Sequence, residues 1–192
     1  MRLPAAERRQ QLIDTAIEVF ARENYHTASM NDIAEAAGVT KPVLYQHFAS
    51  KRELYKQVLG EIGGSLRETI SKAIADASGP RNQIERGFGA YFAYVDTHPD
   101  AFRVLFGAGT RRDEEFAEEA RRVEASIAEI VAELIEIPGM TREQRLLLGN
   151  GIVGMAEGAC RAWLHRDVDV DPTYLADQVS RLAWAGLRGV SP

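Results

Sequence analysis

Apolar residues in this chain recur at helical spacing from end to end, and no useful length of it alternates apolar with polar residues. A chain patterned in this way can bury its apolar stripes only by packing helix on helix, so the period alone predicts an all-α fold. Leu12, Ile13, Ala16, Ile17 and Phe20 mark a first helix, with Arg8, Arg9, Asp14, Glu18 and Arg22 on its other face. Asn24 and His26 interrupt it. Ser29 has the chemistry of an N-cap, with Asp32 in a capping-box position, and Met30, Ile33, Ala34 and Ala37 form the buried stripe of a short second helix. Gly38 ends that helix where a left-handed backbone favours glycine. Thr40 is the expected cap of a third helix, and Pro42 is tolerated in its first turn. Ser50 and Glu53 make an S-x-x-E box that opens a fourth helix through Leu54, Tyr55, Val58, Leu59 and Ile62 to about Ala77, before Ser78-Gly79-Pro80.

Beyond that stop, Arg81 to Thr97 is periodic and His98-Pro99 ends it, because the residue before proline is pushed out of the helical region. A short piece, Asp100 to Gly107, precedes a charged helix from Asp113 to Ile135. Pro138-Gly139 separates this from Thr141 to about Arg166, opened by a Thr141/Gln144 box. Asp171-Pro172 opens the last helix, which should end near Gly189. The sequence therefore predicts about nine helices and no internal repeat.

At 192 residues there is room for one ordinary domain, or for a small domain beside a larger one. An apolar fraction of 45% with 27% charged residues fits a soluble globular chain rather than a disordered one. No apolar run reaches the ~18–20 residues of a bilayer-spanning helix. The N-terminus, Met1-Arg2-Leu3-Pro4-Ala5-Ala6-Glu7, turns charged too early for a signal peptide. No membrane partner is expected, and a cytoplasmic location is. Cys160 is the sole cysteine, which excludes an internal disulfide framework and a multi-cysteine zinc site. The net charge of −5 argues against a uniformly basic coat. Its distribution is uneven: residues 1–57 hold 8 Lys/Arg against 7 Asp/Glu, and residues 58–192 hold 15 against 21.

The most informative run lies between residues 27 and 55. A helix of about eight residues, a tight turn at Gly38-Val39-Thr40 and a second short helix from Lys41 to Phe48 describe a helix-turn-helix. In that motif the first helix braces on the duplex backbone while the second enters the major groove. Ala34, Gly38, Val39 and Leu44 suit the packing side, leaving Lys41, Pro42, Val43, Tyr45, Gln46 and His47 to face outward. Lysine can bridge guanine O6 and N7, Pro and Val can touch a thymine methyl, and Tyr, His and Gln can bond phosphates.

The run from Thr27 to Tyr55 closely resembles the DNA-binding domain of the TetR family of transcriptional regulators. The resemblance rests on Ile33-Ala34, Gly38-Val39, Leu44-Tyr45, His47-Phe48, Ser50-Lys51 and Leu54-Tyr55, with Ala16 and Phe20 ahead of them. It covers roughly residues 1–57 and implies a helix-turn-helix DNA-binding domain there, with a ligand-binding and dimerisation domain over 58–192. It further implies a homodimer, double-stranded DNA with a palindromic operator as partner, and repression relieved by a small-molecule effector. Thr27 and Ser29 would anchor phosphate at the start of the second helix, and Thr40 would join the interface. Lys41, Pro42 and Val43 would approach base edges, while Tyr45, His47 and Lys51 would hold the backbone, with Gln46 a further DNA-binding candidate. Pro42-Val43 departs from the small residues, such as Gly-Thr or Ala-Ser, that many members carry there, so base preference does not transfer. The competing readings are a helical protein-binding module and an activator that ligand does not release.

The C-terminal part shows no catalytic signature. Gly149-Asn150-Gly151-Ile152-Val153-Gly154 matches G-x-G-x-x-G, but inside a helix with no strand before it, so the dinucleotide reading fails on context. Glu157, Arg161 and His165 share a helical face, where an i, i+4 ion-pair ladder accounts for them without catalysis. No catalytic residue, cofactor or metal is expected, and Cys160 reads as a small buried hydrophobe. Gly151, Gly154, Gly158 and Ala162 form a stripe without side-chain bulk. It either admits a partner helix across a dimer interface, joined by Trp184, or opens space for a ligand. Tyr91, Phe92, Tyr94, Phe102, Phe106, Met155 and Trp163 suggest the lining of a pocket for an apolar or acyl-like molecule. Arg103 either meets an acidic head group or sits on the surface.

Overall fold

The computed structural model describes residues 4–165 and 170–191. Among them the chain is helical without strands, in the order α1 (Ala5–Thr27), α2 (Met30–Ala36), α3 (Lys41–His47), α4 (Lys51–Ala75), α5 (Pro80–Thr97), α6 (Pro99–Phe106), α7 (Ala108–Arg112), α8 (Glu114–Leu134), α9 (Arg142–His165) and α10 (Pro172–Arg188). The all-α expectation is borne out; the addition to it is α7, a single five-residue turn. The expected end of α9 at Arg166 lies outside the described residues.

The breaks fall where the side chains dictate. Asn24 takes φ 61° inside α1, and its Oδ1 accepts from the amides of His26 (2.9 Å) and Thr27 (3.4 Å), capping the last turn from within. Gly38 and Gly139 hold positive φ of 67° and 85° at the ends of their turns. Asp171 accepts from the amides of Thr173 (2.7 Å) and Tyr174 (3.2 Å) ahead of Pro172, the anticipated N-cap. Thr141 and Gln144 form both arms of their box, at 2.7 and 3.2 Å. The fourth-helix box differs slightly, since Glu53 reaches past Ser50 to the Ala49 amide at 2.8 Å while its own amide bonds Ser50 Oγ at 3.1 Å.

The chain divides into two compact units. One holds the residues up to Gly63 together with Asp100–Arg121; the other holds Gly64–Pro99 and the residues from Arg122 on. Asp100–Arg121 therefore packs with the residues up to Gly63, and the reason is a buried cluster in the first unit. The Tyr55 ring lies 4.8 Å from Phe20, 4.9 Å from Tyr25 and 4.6 Å from Phe116. Thr110, fully buried, donates to the Val104 carbonyl at 2.5 Å and shares a 2.7 Å hydrogen bond with the Tyr55 hydroxyl. Aromatic pairs of this geometry add about 0.5–1.5 kcal/mol each beyond their buried area. The α6–α8 segment is thus part of the core that supports α1–α4.

In the second unit α5, α9 and α10 pack together, and Gly149 of α9 sits against Ala128 of α8. A Cβ there would stand 2.5 Å from the Ala128 carbonyl oxygen, so this glycine permits the contact. Gly151, Gly154 and Gly158 are different: a Cβ at any of them meets nothing within 4 Å.

Candidate nucleic-acid interface and ligand cavity

Ile33, Ala34, Leu44 and Phe48 are buried and set α2 against α3. Burying a Leu or Phe side chain contributes about 1.5–3 kcal/mol, which fixes the turn between the two helices. Ser29 opens α2 with a complete capping box: Asp32 N donates to its Oγ (3.2 Å), and its own amide (2.8 Å) and hydroxyl (2.7 Å) donate to Asp32 Oδ2. Those bonds from the Ser29 side chain and amide hold the Asp32 carboxyl below its usual range.

On the outer side of α3, Lys41, Pro42, Tyr45 and Gln46 are exposed, Tyr45 by 44%, and Val43 and His47 are half-buried. Within the described residues the side chains of Lys41, Tyr45 and Gln46 have no hydrogen-bond or ionic partner. Thr40 corrects one expectation, because its side chain caps nothing. Pro42 has removed one amide a cap would bind, and the Val43 amide bonds the Thr40 carbonyl instead at 2.9 Å. The Thr40 hydroxyl is left outward, beside Lys41.

Three further residues given to phosphate are committed inside the chain. The Thr27 hydroxyl donates to the Glu23 carbonyl, and that of Ser29 is spent in its capping box. Lys51 is the most heavily engaged of the three. Its Nζ donates to the carbonyls of Tyr25 (2.7 Å) and Ala28 (2.8 Å) and stands 4.6 Å from the centre of the Tyr25 ring. Two of its three N–H groups therefore fasten the start of α4 to the α1–α2 link. Carbonyls at a helix C-terminus need donors, the one signal in the sequence that would have pointed here.

The neighbouring basic residues are also engaged. Arg52 bonds Glu115 (2.6 Å) and Asp113 (3.1 Å) and covers the Phe116 ring at 4.9 Å, while Lys56 bonds Glu115 at 2.7 Å. Burial pushes the Asp113 carboxyl up, but hydrogen bonds from Arg52 and the Phe116 and Glu115 amides outweigh it and hold the group low. Glu115 is held low by Lys56 and Arg52.

The second unit contains a half-open cavity of about 270 Å³. Its wall is mostly aliphatic: Ile127, Ile130, Val131 and Leu134 from α8, Ile70 and Ile74 from α4, Ile84, Phe88 and Tyr91 from α5, Ile152, Val153 and Ala156 from α9, and Trp184 and Leu187 from α10. Of the aromatic and flexible residues expected to line a pocket, only Tyr91 does so. Phe102 and Phe106 are buried in the first unit with ring centres 4.8 Å apart, and Arg103 is exposed there and paired with Asp100 at 2.9 Å. Tyr94 stacks on His98 at 4.6 Å, the Trp163 indole donates to the Val170 carbonyl at 3.1 Å, and Met155 and Phe92 are outside the lining. Trp184, expected at a dimer interface, lines the cavity. Side-chain type could not separate these residues, since a cavity wall and a solid core draw on the same apolar set.

The buried Tyr91 hydroxyl has no hydrogen-bond partner among the described residues. Burial, then Cys160 and Glu157, push its pKa well above the usual value. Cys160 is itself buried, with its thiol pushed up by burial and by Glu157. Glu157 and Arg161 form the expected i, i+4 pair. Leu147 on α9 and Tyr174 and Leu182 on α10 are exposed by 73%, 59% and 64%, and the Gly151–Gly154–Gly158–Ala162 stripe is exposed beside Leu147 on the same helix. Among the described residues no group of three acidic, His or Cys side chains could hold a metal, and no helix is long and apolar enough to cross a membrane.

A helix-turn-helix whose second helix turns unpartnered polar side chains outward defines the class of helix-turn-helix DNA-binding regulators. The comparisons narrow that class. A family model described as bacterial regulatory proteins of the tetR family matches residues 12–58, and one described as a tetracyclin repressor-like C-terminal domain matches residues 80–186. The HTH-type transcriptional activator FasR of Mycolicibacterium smegmatis is 32% identical over 190 residues, 98% of this chain and 87% of that protein. A TetR-like regulator from Rhodococcus sp. RHA1 superimposes with a TM-score of 0.81 at 28% identity, covering 98% of this chain and 100% of the other. FadR of Bacillus subtilis, solved in complex with stearoyl-CoA, shares the fold with a TM-score of 0.81 at 19% identity over 92% and 98% of the two chains. This chain belongs to the TetR family of bacterial transcriptional regulators.

Proposed function

We propose that the protein is a cytoplasmic, non-enzymatic homodimer that binds a palindromic operator through paired helix-turn-helix heads and is released by an apolar, acyl-type effector held in the second unit. The observation that carries the DNA reading is the outward face of α3, where Lys41, Tyr45 and Gln46 are exposed and unspent. Lys41, Pro42 and Val43 read base edges; Thr40, Tyr45, Gln46 and His47 meet phosphates, with Thr27 and Ser29 shaping the approach. The aliphatic cavity supports an apolar effector, and the acyl character follows FadR, whose structure holds stearoyl-CoA. The relative named an activator, alike over nearly the whole chain, favours a second reading in which operator binding promotes transcription.

The unpartnered faces of α9 and α10, with Leu147, Tyr174 and Leu182 exposed beside a stripe lacking side-chain bulk, support dimerisation there. Gly154→Leu should then abolish the dimer, and a variant that still sediments as a dimer refutes that interface.

Fluorescence anisotropy against DNA upstream of the protein's own gene, at two salt concentrations, tests the main reading. Phosphate neutralisation makes log affinity fall with log salt by ~0.9 per contact, so tight, salt-sensitive binding that outcompetes random DNA is expected. Absence of binding to any DNA at low salt, with and without acyl ligands, would favour a protein-binding head.

A further inference from the structure

The cavity of the second unit is not uniformly apolar. Among the described residues the charged ones on its wall are Glu136 and Arg188. Arg188 ends α10, exposed and with no ionic or hydrogen-bond partner among the described residues. Gln83, also on the wall, lies in the first turns of α5. These two polar positions share one end: Leu187 and Arg188 line the same space as Pro80 and Gln83, and further along the pair Glu85 lies close enough to Arg181 to act on its charge. Eight residues along α5, about 12 Å at 1.5 Å per residue, separate Gln83 from Tyr91. Over that length the α5 contribution is Ile84, Gly87, Phe88 and the ring of Tyr91. The side chains that α5 and α10 give to the wall are polar where α5 begins and α10 ends, and mostly apolar further in.

Resting on the reading that this cavity holds the effector, we propose that the effector is an amphiphile of medium length, whose anionic head is bound by Arg188 and whose unbranched tail lies inward between α5 and α8. The length follows from the wall, whose α5 part runs about 12 Å from Gln83 to Tyr91. The anion follows from Arg188, because a planar guanidinium with all its donors free matches a carboxylate or phosphate bidentately and has nothing to offer a hydrocarbon.

Titration calorimetry on the full chain with decanoate, decyl phosphate, decanol and octadecanoate tests this. Decanoate and decyl phosphate should bind, decanol should bind about fivefold more weakly, as for loss of one partly exposed ion pair, and octadecanoate should bind more weakly than decanoate. Arg188→Gln should erase the difference between decanoate and decanol while leaving decanol affinity and ligand-free DNA binding unchanged. A stronger response to decyl phosphate than to decanoate identifies a phosphate-bearing head; the reverse identifies a free acid. Equal binding of decanol and decanoate to the unaltered protein overturns the head assignment and leaves the cavity reading standing. Binding of none of the four overturns both. A fall in Tm for Arg188→Gln with an unchanged ligand ranking overturns the proposal too, assigning Arg188 to the α10 helix dipole alone.

Discussion

Replacing Lys51 with methionine keeps most of the side-chain length and removes its charge, so it separates two roles for one residue. The structure gives Nζ two hydrogen bonds, 2.7 Å to Tyr25 O and 2.8 Å to Ala28 O, and a ring contact at 4.6 Å. Hydrogen bonds to a charged group contribute about 1.5–3 kcal/mol when well buried, and an exposed cation–π contact about 0.5–1. Lys51 is half-buried, so solvent screening lowers the roughly 3.5 kcal/mol that two such bonds and the ring contact contribute at their lower ends, and the expected loss of stability is about 2–3 kcal/mol. In a chain of this length each kcal/mol moves Tm by about 2–4 °C, which places the fall at roughly 4–12 °C by scanning calorimetry. DNA affinity should also fall, because the link between α1 and α2 that carries Thr27 and Ser29 is no longer tied to α4. The slope of log affinity against log salt should stay as it was, since no phosphate contact is lost. An unchanged Tm together with a slope shallower by ~0.9 would refute the tether and return Lys51 to the DNA.

Other consequences follow from the same contacts. Gly149→Ala forces a methyl against the Ala128 carbonyl and should destabilise by about 1–3 kcal/mol in denaturant titrations, whereas Gly154→Ala, with open space around it, should raise the stability of the undimerised chain by about 0.5–1 kcal/mol. Asp113 and Glu115 are held below their ordinary pKa values, so their pairing with Arg52 and Lys56 stabilises the first unit fully at neutral pH and is lost as pH falls below about 4. Acid unfolding followed by circular dichroism should therefore show a gap between the unaltered protein and Arg52→Met that closes in that range. Lys41→Ala should relax base preference at one operator position by about 1–3 kcal/mol in a competition series, and an unchanged preference would remove its base-reading role.

The parts of the fold readable from sequence were those set by residues within one or two turns of each other. The Ser29, Thr141 and Asp171 caps, the positive φ of Gly38 and the stripe that buries Ile33, Ala34 and Leu44 all follow from neighbours in the chain. Thr40 misled because the cap depends on an amide that Pro42, two positions on, does not have. Lys51 and its acceptors are 26 and 23 residues apart, a pairing no local rule encodes. The cavity was hidden for another reason. Ile127, Ile130, Val131 and Leu134 show helical spacing whether they face a solid core or an empty one, and the aromatic residues that drew attention, Phe102 and Phe106, are packed in the other unit. Among the glycines, the conspicuous stripe has open space, while Gly149, standing apart from it, meets a carbonyl.

The buried Tyr55–Thr110–Val104 bonds and the Phe116 ring have a bearing on how such regulators diversify. The reading head is built from two stretches of sequence separated by 36 residues of the other unit, Gly64–Pro99. Recombination between related genes that exchanged only the first stretch would bring in a foreign tyrosine partner and leave the host's threonine and phenylalanine facing a surface they did not evolve against. Chimaeras that exchange whole heads should therefore work only when the α6–α8 stretch travels with its own first helices.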